Sequence, residues 1–140
     1  DVYKRQVEQL IRKEKDGTLS FGNYELATKS KVSDFEYEGD LYKIKTFKEI
    51  TKLEKNGMFV YESVPGTTVT NMSCKEEGIT FSVEGNEDAQ VTLELEPEKE
   101  YDVCISGNDS GVMKTNLGGK LNISVELNVG EPVAISITAK

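Results

Sequence analysis

Histidine and tryptophan are both absent from the 140 residues, and arginine occurs only at Arg5 and Arg12. Without histidine there is no imidazole general base, no serine- or cysteine-type triad and no histidine metal ligand. One or two arginines cannot build the guanidinium cluster that grips a sugar carboxylate bidentately. The two cysteines, Cys74 and Cys104, lie in no C-x-x-C pair, so redox chemistry has no support. No apolar run approaches the length of a membrane-spanning helix. Nothing in this inventory calls for a cofactor or a metal.

What is present is ordinary for a globular domain. Hydrophobic residues make up 36 % of the chain and charged residues 30 %, enough for one core under a polar surface. The formal charge of -8 and a pI near 4.7 disfavour nucleic acid and anionic membrane as partners. Asp1–Gln6, DVYKRQ, matches the in-frame translation of a common library adapter and is read as non-native. Dropping one acid, Asp1, and two bases, Lys4 and Arg5, moves the charge from -8 to -9.

Period-two alternation then runs through the chain. Residues 7–66 form an irregular strand-rich part with turns at Asp16-Gly17, Gly39-Asp40 and Asn56-Gly57. Met58–Val64 is apolar on both faces and reads as a central strand covered on two sides. Residues 67–140 carry seven short strands: Val69–Lys75, Ile79/Phe81/Val83, Val91/Leu93/Leu95, Tyr101/Val103/Ile105, Val112–Thr115, Leu121–Leu127 and Val133–Ile137. Glycine-bearing turns such as Gly107-Asn108 punctuate them. That spacing predicts an all-β, antiparallel immunoglobulin-like sandwich, with the N-terminal strands as an extra layer in one compact unit. The runs on either side of Pro97 either form a hairpin or cross between sheets. Phe81, Val91, Leu93, Leu95, Tyr101, Val103, Ile105, Ile123, Val125, Val133, Ile135 and Ile137 are the expected core. Tyr101, Val103 and Ile105 share a face that Cys104 does not. The two thiols are therefore expected free, in a reducing and hence cytoplasmic setting.

Two resemblances follow. Leu95-x-Pro97-x-x-x-Tyr101-x-Val103 resembles the corner of fibronectin type III domains, which implies a tyrosine hydroxyl tying down a crossing loop. The inner tryptophan of that family has no counterpart here. The segments GTLSFGNYELATKSK and YKIKTFKEITKLEKNGMFVYESVPGT resemble short bacterial single-domain proteins labelled endosialidase. That resemblance implies a glycoside hydrolase acting on sialic polymers, in proteins that start without a secretion signal.

The residues themselves point to milder roles. Glu36/Glu38 and Glu94/Glu96 stand at strand spacing on outward faces, as a solvated sheet would place them. Asn86-Glu87-Asp88 and Asn108-Asp109-Ser110 are oxygen-rich, but Asn and Asp belong in turns. Tyr42, Phe47, Phe59 and Tyr61 are the candidate ligand aromatics, with the core as their alternative destination. Lys43, Lys45 and Lys48, followed by Lys52 and Lys55, form a basic strip. It reads as edge-strand protection, with docking to an acidic protein or a second copy as the alternative. The expectation is a non-catalytic interaction or assembly module. Carbohydrate binding and endosialidase-like hydrolysis are the other readings.

Overall fold

Strand and turn chemistry carries through to the whole architecture. The computed structural model describes residues 9–140; the adapter-like hexapeptide and Val7–Glu8 lie outside the described residues. Thirteen strands follow in order: β1 (Ile11–Lys13), β2 (Leu19–Phe21), β3 (Ser30–Tyr37), β4 (Asp40–Phe47), β5 (Ile50–Lys55), β6 (Met58–Val64) and β7 (Thr68–Lys75). Then come β8 (Gly78–Glu84), β9 (Ala89–Glu94), β10 (Glu100–Ile105), β11 (Asn108–Lys114), β12 (Lys120–Val125) and β13 (Val133–Ala139). One sheet runs β1-β2-β7-β8-β13-β10-β11 and the other β12-β9-β6-β5-β4-β3, with antiparallel neighbours throughout. This is the all-β antiparallel sandwich that the alternation implies. The N-terminal strands join it edge-on, β1 and β2 beside β7 and β3–β6 beside β9. Residues on both sides of Pro65-Gly66 therefore share both sheets.

The inward face of each strand is the apolar one, and removing that area from water is the main stabilising term. Of the expected core, Leu95, Ile105 and Val133 are partly buried against it and the other nine are buried. At the centre, aromatic side chains from both halves of the chain meet. Phe21 and Phe81 both meet Tyr61 edge-to-face, with ring centroids 5.2 and 5.9 Å away.

Of the two options left open at the proline corner, the chain takes the crossing. β9 lies in one sheet and β10 in the other, and the Glu96 N–H donates to the Tyr101 hydroxyl at 3.2 Å. Three hairpins turn through pairs with positive φ at both residues: Glu38-Gly39, Asn56-Gly57 and Ser106-Gly107. Two of these sit one residue earlier than the sequence alone suggests, because the mirror-image turn places glycine second. β6 is central in its sheet but covered on one side only. A register shift opposite Leu53/Glu54 leaves Val60 out of the ladder, and Met58 and Val64 are exposed.

Burial pushes the Tyr61 hydroxyl up to about 12, while its hydrogen bonds to Thr67 and Ser63 pull the other way. Tyr42 is likewise raised to about 12, first by burial and then by nearby negative charge. A tyrosine raised in the folded state contributes stability that is complete below its unfolded value, near 10, and is lost as pH climbs through the folded one. Stability should therefore fall between about pH 10 and pH 12. Tyrosinate absorbance followed together with circular dichroism should show these rings ionising only with unfolding. Full ionisation of the folded protein at pH 10 would contradict this.

Candidate functional site

Strand register gathers lysines that are far apart in sequence. Lys31 of β3 stands opposite Lys45 of β4, and Lys45 opposite Lys52 of β5. Lys43, two residues before Lys45, points to the same side and faces Glu54. Together Lys31, Lys43, Lys45, Lys52 and Glu54 line one shallow depression on the outer face of the six-stranded sheet. Adjacent strands lie about 4.8 Å apart, so the in-register row of three ammonium groups spans roughly 10 Å. Lys52 has Glu54 at 3.7 Å; Lys31, Lys43 and Lys45 make no ion pair among the described residues. Like charges directly opposite one another weaken a sheet. This face carries that cost in a chain whose net charge is negative.

The edge-strand reading of the strip does not hold for its principal members. β4 lies between β3 and β5, and β5 between β4 and β6, so neither is an edge. The strip also divides. Lys48 sits in the β4–β5 turn, where its backbone is held by Leu26 and Gly66. Lys55 reaches Asp40 at 3.4 Å at the other end of the strand. Lys31, which belongs to the row, lies well before the strip. No spacing in the sequence marks it, because its neighbour Lys45 is set by hairpin register.

The four aromatic candidates also part company. Tyr61 is fully buried in the core, and Phe47 is half-buried with Lys29 Nζ 5.9 Å from its ring centroid. Tyr42 and Phe59 line a cleft of about 380 Å³ where the two sheets open at the β5–β6 and β7–β8 turns, with Val60, Ile79 and Leu95. A smaller adjoining hollow of about 260 Å³ shares Tyr42, Lys55, Val60 and Cys74 with it. Tyr37 and Tyr42 meet edge-to-face at 70° and so present no flat platform for a sugar ring. Phe59 is covered by Lys120 Nζ at 4.7 Å. Charges around the cleft are largely answered: Lys55 by Asp40, and Glu94 by Lys120 at 2.8 Å.

The remaining candidates have structural occupations. Asp88 accepts from the Leu127 N–H and so ties its loop to the segment after β12, while Asp109 accepts from the Gly111 N–H within its own turn. Glu96 pairs with Lys99 at 2.6 Å, and Glu38 lies 3.9 Å from Lys13. Cys74 and Cys104 are free thiols. Comparison of the chain with protein-family models, curated proteins and solved structures finds no match.

Proposed function

We propose that this protein is a non-catalytic interaction module that docks an anionic protein surface onto the lysine face of β3, β4 and β5. One observation carries the reading: three lysines in register on neighbouring strands, two of them without a carboxylate partner among the described residues. A ligand carrying two or three carboxylates offsets the repulsion between them and gains charge-assisted contacts. The flat, shallow shape suits a surface better than a small molecule. The crossing corner tied by Tyr101 supports a fibronectin type III-like description of the scaffold.

Lys45→Glu separates binding from stability. Placing a carboxylate between Lys31 and Lys52 turns two repulsive pairs into attractive ones, each worth roughly 0.2–1 kcal/mol. The variant should melt higher than the parent, yet bind a poly-glutamate peptide at least tenfold more weakly in a fluorescence titration at low salt. Binding by the parent should also weaken as salt is added. Equal binding by both proteins refutes the docking face. Turnover of a sialic polymer, lost on a single carboxylate substitution, would replace the non-catalytic reading with the hydrolytic one.

A further inference from the structure

The cleft where the sheets part is built from the last inward positions of facing strands. Tyr42 stands opposite Lys55 in the β4–β5 ladder, two residues along from buried Ile44 and Leu53. In the other sheet Cys74 stands opposite Ile79, two residues along from buried Met72 and Phe81. Residues paired across a ladder share a face, so both pairs look into the gap between the sheets. The Lys55 ammonium turns aside to Asp40 at 3.4 Å, and a cysteine is too small to fill the space opposite. β6 carries its bulge here, so two successive residues, Phe59 and Val60, both border the cleft. The core layer therefore runs out before the strands do.

One polar group in this cleft has no protein partner. The hydroxyls of Tyr24, Tyr37, Tyr61 and Tyr101 are each hydrogen-bonded. Tyr42 is only 8 % exposed, yet its hydroxyl makes no hydrogen bond among the described residues. No buried side-chain polar atom is left unpaired among those residues, so the exposed remnant of Tyr42 includes its hydroxyl. It opens into the two hollows that the residue lines. Its pKa is raised first by burial and then by Cys74 and Asp40, so it is a neutral donor at physiological pH.

The charges bordering the space select against an ionic ligand. Every carboxylate there has a cation beside it: Glu38 has Lys13, Asp40 has Lys55 and Glu94 has Lys120. Lys75 is exposed on the rim, on the opposite face of β7 from Cys74. An anion seated against Tyr42 would lie near Asp40 and meet no unpaired cation on the inner wall. We propose that the cleft binds a small, uncharged, mainly apolar molecule whose carbonyl oxygen accepts a hydrogen bond from the Tyr42 hydroxyl. At roughly 30 Å³ per heavy atom, the share of one water in the liquid, a ligand of about a dozen heavy atoms fits. The site is separate from the lysine face, which lies on the outer side of the six-stranded sheet.

Equilibrium dialysis of the full chain against acetylnaphthalene tests this, with ethylnaphthalene as the acceptor-free counterpart and naphthoate as the charged one. The parent should bind the ketone at least tenfold more tightly than naphthoate. Tyr42→Phe should weaken the ketone about fivefold and leave ethylnaphthalene unchanged. Cys74→Phe fills the cleft and should abolish binding of both neutral probes. Bound ketone should also slow alkylation of Cys74 by iodoacetamide but not that of Cys104, on the outer face of the seven-stranded sheet. No uptake of either neutral probe at its solubility limit overturns the inference, as does naphthoate binding more tightly than the ketone. Equal loss of ketone and hydrocarbon in Tyr42→Phe removes the hydroxyl from the site. Binding that survives Cys74→Phe, or equal protection of both thiols, overturns the location even if the Tyr42 variant fails to fold.

Discussion

Alanine at position 66 is expected to cost about 3 kcal/mol and to lower the melting temperature by roughly 10 °C. Gly66 follows Pro65 in the strap between β6 and β7, and its N–H donates to Lys48 C=O at 3.0 Å. The strap lies so close to the β4–β5 turn that a Cβ on Gly66 would overlap the Phe47 carbonyl oxygen. The obstacle is backbone on a tight turn, which cannot swing away as a long side chain would. Phe47 itself pairs with Ile50 at the end of β4, so retreat there opens the ladder. Alanine at Gly57, whose Cβ would meet nothing within 4 Å, is the control for backbone strain alone. Its φ is +80°, so it should cost about 1 kcal/mol. Equal losses for the two variants in denaturant titrations would show that the packed strap is not what matters at Gly66.

Thr51→Val should be at least as damaging. The Thr51 hydroxyl donates to Thr67 C=O at 2.7 Å, receives the Thr67 N–H at 3.0 Å and lies 2.8 Å from the Thr46 hydroxyl. The Thr67 hydroxyl in turn meets those of Tyr61 and Ser63 at 2.8 and 2.7 Å. Thr46, Thr51, Ser63 and Thr67 are all fully buried. No buried side-chain polar atom is left unpaired among the described residues. Valine keeps the volume but strands the Thr67 N–H and C=O away from water, at about 1–3 kcal/mol for each orphaned group. The sum expected is about 3–4 kcal/mol. Thr51→Ser keeps the hydroxyl and should cost only about 1 kcal/mol for the lost methyl. If valine proves no worse than serine, the network contributes little and apolar packing alone holds this end of the sandwich.

The two predictions concern the same joint. Both bind the strap at Pro65–Thr67 to strands β4 and β5, and that joint makes the N-terminal strands inseparable from the rest. Alternation in the sequence shows a strand on each side of it. It does not show that a threonine on β5 and another sixteen residues later would share two hydrogen bonds. Alternation puts Thr51 on the inward face with Leu53, but which buried groups its hydroxyl meets depends on segments distant in sequence.

The lysine face and the β12 edge illustrate the same division. Lys43 and Lys45 were visible as a basic strip, but their grouping with Lys31 and Lys52, and the separation of Lys48, follow from hairpin register. The polar outward side of β12 could be read from Lys120, Asn122 and Ser124, yet only the sheet order shows that it ends a sheet.

Local pattern alone therefore decided which segments are strands, which face of each is apolar, where most chains turn, and that the link at Pro97 is a tight corner. These depend on a period of two and on the φ preferences of glycine and asparagine, which neighbours in sequence express directly. Tertiary structure decided which sheet each strand joins, which polar groups meet in the interior, and which edge is left open. Those outcomes depend on pairing between segments dozens of residues apart, where burial, register and charge are properties of two strands together and are written in neither one.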